Sequence, residues 1–294
     1  MDPGGATGAR RSLYRLLPSF TRQWIAARWI DRFDRAALRR FQREHRPGAP
    51  VERGPLAGAA IVVPCWNHEP YLDAMLESVA AQTYRPFELI CVEDRSADGT
   101  WARLERARGE LPAGIRVSLL RNPRNLGQAA SINRAVESSS ASLCMILNDD
   151  DYLAHDALEA AIELLRREED LFLLGATSVH FTGTGPPGAD DPRLLLRNRY
   201  PNLGGIPLKR YRPEDVPGLR RANDLNMTHS GSVFFRSAWS AVGGYYADKS
   251  RRVITYSDRD FQLRVASLFP VAVSMEAPFS FWRADSSVDR GANS

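Results

Sequence analysis

From Ala59 onward the hydrophobic pattern along the chain changes period again and again. Compact apolar runs rich in Val, Ile and Leu occur at Ala60 to Pro64, Phe87 to Glu93, Ile115 to Arg121 and Leu143 to Leu147. Short runs of this kind, apolar on successive residues, predict strands buried on both faces. Between them, Glu69 to Gln82, Thr100 to Arg108 and Gln128 to Ser138 carry apolar residues at helical spacing, as Tyr71, Met75, Leu76 and Val79 show. Strand and helix in alternation predict an α/β fold with a mostly parallel, doubly wound sheet flanked by helices. In such sheets ligands bind beyond the carboxyl ends of the strands, so the residues just after each apolar run are where chemistry is expected.

Upstream the pattern differs. Residues 1–18 are rich in Gly, Arg and Ser with little periodicity, which predicts a flexible tail. From Thr21 to Glu44, Trp24, Ala27, Ile30, Phe33, Ala37 and Phe41 recur every three or four residues with Arg28, Arg32, Arg35, Arg39 and Arg43 between them, predicting a basic amphipathic helix. Its apolar stripe either rests on an anionic membrane surface, a peripheral contact through residues 21–44, or packs on the main domain. Arg46 to Pro55 reads as a linker. The expected organisation is therefore a basic arm over residues 1–55 and a single domain over residues 56–294.

Composition narrows the classes. With 294 residues, 44% of them hydrophobic, the chain can bury a large core. The net charge of +4 conceals an asymmetry: residues 1–55 hold twelve Arg against five acidic residues, which leaves the remainder with three net negative charges. No basic face with aromatic platforms is evident after residue 55, so nucleic acid is not an expected partner. Cys65, Cys91 and Cys144 each sit in an apolar stretch and are an odd number, which predicts reduced core thiols. No apolar run approaches the roughly 20 residues of a membrane span, and a cytoplasmic protein is the default expectation.

The residues after the strands are unusually polar. Pro64-Cys65-Trp66-Asn67-His68 follows the first, Asp94 to Thr100 the second and Asn148-Asp149-Asp150-Asp151 the fourth. Neither a Gly-x-Gly-x-x-Gly fingerprint nor a Gly-Lys-Ser/Thr loop occurs, which argues against a dinucleotide fold and a P-loop. Consecutive aspartates can be turn or cap residues, with Asp151 or Asp156 capping the next helix. Three together, however, repel one another, and a hard divalent cation, Mn²⁺ or Mg²⁺, would offset them while bridging a diphosphate.

Taken with Ile61-Val62-Val63-Pro64-Cys65-Trp66-Asn67, Ser78-Val79-Ala80-Ala81-Gln82-Thr83-Tyr84, Phe87 to Asp94, Ser96-Ala97-Asp98-Gly99-Thr100 and Asn125-Leu126-Gly127, these motifs make residues 59–165 resemble the family 2 glycosyltransferases of the GT-A fold. The resemblance implies an inverting transfer from a nucleotide diphosphate-sugar, a UDP-sugar above others, to a hydroxyl acceptor that no motif identifies: a glycan, a lipid carrier or a metabolite. It implies that residues 56–165 are the donor half and residues 166–294 the acceptor half. It places Pro64, Asn67 and Asp94 on the nucleoside, Asp150 on the metal, and Asp149 beside it on the metal and the ribose or sugar hydroxyls. Many members have Asp where this chain has Asn148.

Further along, Gly183 to Ala222 reads as a loop-like insertion shaping the acceptor side, His229 to Arg236 as a strand-like run, and Val242-Gly243-Gly244-Tyr245 as a turn after a short helix. Tyr256 to Arg264 resembles the family's Glu-Asp-x-Asp-Leu motif, which makes Asp258 the general base, with Ser257 in place of Glu; Asp258 could equally cap its helix, and Asp260 reads as structural. Phe281 to Ser287 is similar to Tyr-Arg-x-His-x-x-Ser, so Arg283 would steady the diphosphate as a bidentate cation, and Asp285 stands where many members have His. Two other classes compete: a non-catalytic nucleotide-sugar-binding or partner subunit, encouraged by Asn148, Ser257 and Asp285, and a sugar nucleotidyltransferase, which would want a Gly-rich, basic loop after the first strand.

Overall fold

The computed structural model describes residues 34–46, 51–188 and 191–286. The predicted tail and residues 21–33 of the predicted basic helix lie outside these. The first four strands fall where the apolar runs put them: β1 (Ala59–Cys65), β2 (Phe87–Glu93), β3 (Ile115–Arg121) and β4 (Leu143–Ile146). They alternate with α2 (Leu72–Ala80), α3 (Thr100–Glu110) and α4 (Gln128–Ser138), preceded by α1 (Arg35–His45). The first predicted helix is split, since Glu69–Tyr71 forms a 3₁₀ turn with Pro70 in it before α2 starts.

The second half supplies β5 (Tyr152–Leu153), α5 (Ala157–Arg167), β6 (Leu173–Ala176), β7 (Ser178–Phe181), β8 (Leu208–Tyr211), β9 (Val233–Phe235), α6 (Arg236–Ala241), α7 (Ser257–Leu268), β10 (Val271–Ser274) and β11 (Ser280–Arg283). Eight strands form one sheet in the order β3-β2-β1-β4-β9-β6-β10-β8. It is mainly parallel; β9 runs against both β4 and β6, and β8 runs against β10. A small sheet, β5-β11-β7, stands apart from it.

Strict alternation along the strands builds two cores. Ile61, Val63, Leu89, Cys91, Leu143 and Met145 face a cluster with α2 and α5, while Ala60, Val62, Ile90, Val92, Cys144 and Ile146 face one with α4 and α7. Helices thus cover both faces, as a run of successive buried apolar residues requires. All three cysteines are free and buried, and burial pushes the Cys144 thiol up to about 12.

α1 belongs to the domain. Asp34 caps it by accepting from the Ala37 N–H at 2.9 Å, Leu38 and Phe41 are buried in the second core, and Gln42 donates to the carbonyls of Ser267 (2.7 Å) and Pro213 (3.1 Å). Over these residues the apolar stripe is therefore packed on the protein itself. Among the described residues no helix is long and apolar enough to cross a membrane.

Described residues of the segment 183–222 pack into the domain. Leu194, Leu196, Leu203 and Ile206 are buried in the first core. Asp156, which makes no side-chain cap bond to α5, instead accepts the N–H groups of Leu196 (2.7 Å) and Arg197 (2.8 Å) and pins the segment down.

Candidate functional site

The carboxyl edge of the sheet opens into a cavity of about 1090 Å³, lined from every loop the sequence marks as polar: Pro64 to His68, Asp94, Asn125 to Gln128, Asn148 to Asp151, and Thr255 to Arg259. That is at the upper end of ligand-sized clefts. Described residues of the segment 183–222 contribute none of its lining.

The loops after β1 and β2 are fastened to each other. Asn67 takes a left-handed φ of 52°, which Asn tolerates better than most residues. Its N–H donates to Ser96 Oγ at 3.0 Å and its Oδ1 accepts from the Ala97 N–H at 2.7 Å. Asp98 closes the expected turn by accepting from the Thr100 N–H at 3.0 Å. Asp94 is buried and receives three donors: Asn122 Nδ2 at 2.7 Å, the Leu126 N–H at 2.8 Å and the Gly127 N–H at 2.7 Å. Gly127, at φ 84°, supplies a backbone geometry that a side chain would strain just before α4 begins. Asp94 therefore fixes the floor of the cavity and is itself part of its lining.

After β4 the four polar residues divide their work. Asp149 is buried and accepts from the Trp66 N–H at 2.8 Å, while its other oxygen pairs with His68 Nδ1 at 2.7 Å. Burial disfavours the charged ring of His68, but the hydrogen bond and charge of Asp149, with Asp150 and Asp98 beyond, outweigh it and raise the His68 pKa. Burial also raises the Asp149 carboxyl. Asp151 is lifted to about 8 by burial and by the charge of Asp150, and accepts from Ser230 Oγ (2.5 Å), the Arg283 N–H (3.0 Å) and Asn148 Nδ2 (3.2 Å). Asn148 can make that last bond because it is an amide; an ionised Asp has no donor to offer. Asp150 alone receives no hydrogen bond on its carboxylate from any described residue, although it lines the cavity.

The donors present suit a divalent cation. His68, Asp149 and Asp150 each place a ligand atom within 4.8 Å of the others, all three are buried, and His68 Nε2 is buried without a partner. Two carboxylates with one imidazole match Mn²⁺ well and Mg²⁺ through the carboxylates. His68 carries no such signal in the sequence, because a lone histidine after a strand gives no sign of its distant aspartate partner.

On the far side of the cavity, α7 presents Asp258 in its first turn. Tyr256 occupies the cap position and no side chain caps the helix, so Asp258 is not its cap; it lines the cavity together with Ser257. Asp260 points inward to the fully buried Arg264 (2.8 Å) and the Val253 N–H (2.7 Å), a structural role. His229, whose pKa is lowered chiefly by burial, bridges Asn148 and the Tyr245 hydroxyl at 3.2 Å each. The run after it becomes strand only at Val233; Gly231 lies in a tight turn at φ 80°, where a Cβ would come 2.9 Å from that of Phe279.

Arg283 lies elsewhere than expected. It is fully buried behind Asp150 and does not line the cavity. Asp285 accepts the Gly183 N–H at 3.0 Å and so holds a turn.

The description Glycosyl transferase family 2 matches residues 60–236, and the chain belongs to that family. An uncharacterised glycosyltransferase of Haemophilus influenzae is 27% identical over 159 residues, covering 51% of this chain and 51% of that protein, so the chain spans about half the length of this curated relative. Among solved structures, Staphylococcus aureus TarS 1–349 in complex with UDP-GlcNAc superposes with a TM-score of 0.59 at 17% identity, over 80% of this chain and 61% of that one. The mannosyltransferase PcManGT of Pyrobaculum calidifontis, in complex with GDP-Man and Mn²⁺, superposes with a TM-score of 0.53 at 17% identity, over 82% and 65%. At these identities the two structures establish a shared fold.

Proposed function

We propose that this chain is an inverting glycosyltransferase that moves a sugar from a nucleotide diphosphate-sugar, a UDP-sugar in the first instance, to a hydroxyl acceptor. The observation that carries the reading is Asp150: a carboxylate in a cavity, beside two other acids, with no donor from the described protein. Such a group calls for a cation. Asp150, with Asp149 and His68, would hold Mn²⁺ or Mg²⁺, which when bound offsets the charge growing on the departing diphosphate. Pro64, Asn67 and Asp94 would take the nucleoside on the rigid floor made by the loops after β1 and β2, and Asp149 would face the ribose or sugar hydroxyls. Asp258, across the cavity, would accept the proton of the acceptor hydroxyl as that oxygen attacks the sugar carbon from the side opposite the leaving group. The bound donors named for TarS and PcManGT, UDP-GlcNAc and GDP-Man, support a nucleotide-sugar here.

The test is a panel of UDP-, GDP- and dTDP-sugars, each with Mn²⁺ or chelator, read as release of nucleotide diphosphate. Release from one donor, lost with chelator, is expected. Asp258→Asn should slow transfer by roughly 10²- to 10⁴-fold while nucleotide affinity by calorimetry stays within about twofold. Binding without turnover for every donor would favour a non-catalytic subunit, and absence of nucleotide binding would end the reading.

A further inference from the structure

We propose that Arg283 is an internal counter-cation that holds the aspartates after β4 together before a metal ion arrives, and that it does not grip the diphosphate. The inference rests on Asp150 being a cation ligand, as argued above.

The geometry of Arg283 carries it. Its N–H donates to Asp151 Oδ1 at 3.0 Å and its Nε to the backbone carbonyl of Asp150 at 2.7 Å, so the residue grips the acidic turn from behind. Its guanidinium carbon sits 4.5 Å from the centre of the Tyr71 ring and 4.4 Å from that of Phe181. Two aromatic rings thus pack against the cation, an arrangement that favours a charged guanidinium. Nη1 and Nη2, the two nitrogens a bidentate phosphate clamp would use, are buried with no partner. A diphosphate in the cavity has no open path to them, because Arg283 is fully buried and forms no part of the lining.

A buried guanidinium with two unpartnered nitrogens is costly, and burial lowers its pKa accordingly. The negative charge in front of it offsets part of that cost: Asp150, Asp285 and Asp151 all favour its charged form. The benefit is mutual, since three adjacent carboxylates repel one another in the metal-free protein. The same positive charge opposes a second cation, so Arg283 also sets an upper limit on metal affinity.

Thermal melting and Mn²⁺ titration by calorimetry, on the full chain without nucleotide, test this in wild type, Arg283→Met and Arg283→Lys. The Met variant keeps bulk against the two rings and loses the charge. It should melt lower than wild type in chelator, recover most of that loss in saturating Mn²⁺, and bind Mn²⁺ roughly 3- to 10-fold more tightly. The Lys variant should stay close to wild type in both measurements, and UDP binding in chelator should be the same for all three. Should the Met variant not fold, Arg283→Gln, neutral but able to donate to the Asp150 carbonyl, carries the same expectation. A lower melting point with unchanged Mn²⁺ affinity would reduce Arg283 to packing. Unchanged Mn²⁺ affinity with UDP binding about tenfold weaker would make it a clamp after all. A wild-type protein indifferent to Mn²⁺ would remove the metal reading and this inference together, whereas a Mn²⁺ response equal in wild type and the neutral variants would remove the inference alone.

Discussion

Two groups of acids lie along the same edge of the large sheet and are built in opposite ways. After β2, Glu93 takes Arg121 at 2.7 Å and the Ser96 N–H, and Asp94 takes three donors from the loop leading into α4. After β4, Asp149 and Asp151 are held from behind, while Asp150 lines the cavity with no donor among the described residues. The first group spends its charge inside the protein and shapes a surface. The second keeps one charge uncommitted. A carboxylate that is already saturated orients a ligand; one that is left bare, at a cost in repulsion, attracts a cation.

That contrast can be broken by substitution. The largest effect is expected from Asp150→Ala, which should lower metal-dependent nucleotide release by at least about 100-fold and shift the melting temperature in chelator only slightly, because relief of repulsion among the aspartates is set against loss of the charge facing the buried Arg283. A large drop in melting temperature would show that its pairing with Arg283 outweighs the repulsion, and release that persists would remove Asp150 from the metal site. Asp94→Ala should behave inversely and unfold more easily by about 2–3 kcal/mol in chemical denaturation, because Asn122, Leu126 and Gly127 each lose a buried acceptor. A stable Asp94→Ala protein would mean that the loop before α4 closes without it.

The smallest effect belongs to Glu88, a buried acid on β2 that does not line the cavity and so serves as a control. Burial alone would raise its pKa, but the Ser140 and Ser139 hydroxyls and the Arg116 cation more than offset that and hold it below the ordinary carboxylate value. A depressed folded-state pKa contributes stability above the unfolded value and loses it as pH falls through the folded one. Glu88→Gln should therefore cost about 1 kcal/mol near neutral pH, and the deficit should shrink in denaturation curves recorded below about pH 4, where the unfolded carboxylate takes up its proton. A deficit constant with pH would assign the loss to packing.

What could be read from the chain follows from the range of the interactions. β1, β2 and β4 were legible because they are buried on successive residues; β3 was legible as a strand, but it is a half-exposed edge strand and not one buried on both faces as expected, and the three helices showed through their one-sided apolar spacing. Asp149 and Asp150 were legible because a turn has little use for so many acids. His68 was not, since its meaning depends on Asp149, 81 positions away. Arg283 was visible as a cation but not as a buried one, because its burial comes from Tyr71 and Phe181 in two other parts of the chain. The short strands β5 to β11 carry few residues each and are defined by long-range pairing, so local pattern could name the run around Val233 and little else. The segment 183–222, poor in periodicity, read as an acceptor-side loop; its leucines at 194, 196 and 203 in fact fill the core.

The reversed strand β9 has a consequence for the order of events during synthesis. Although it contains only Val233–Phe235, it is the element that pairs with β4 on one side and β6 on the other. A chain that has left the ribosome as far as residue 165 already contains β1 to β4, yet β4 still presents an unpaired edge of the kind that recruits foreign strands. Another seventy residues must emerge before the middle of the sheet closes. Cutting the gene between the two halves would therefore not yield two proteins: the stretch that ends before β9 is an unfinished sheet, and the cavity floor after β1 and β2 and the helix carrying Asp258 come into register only once that three-residue strand is in place.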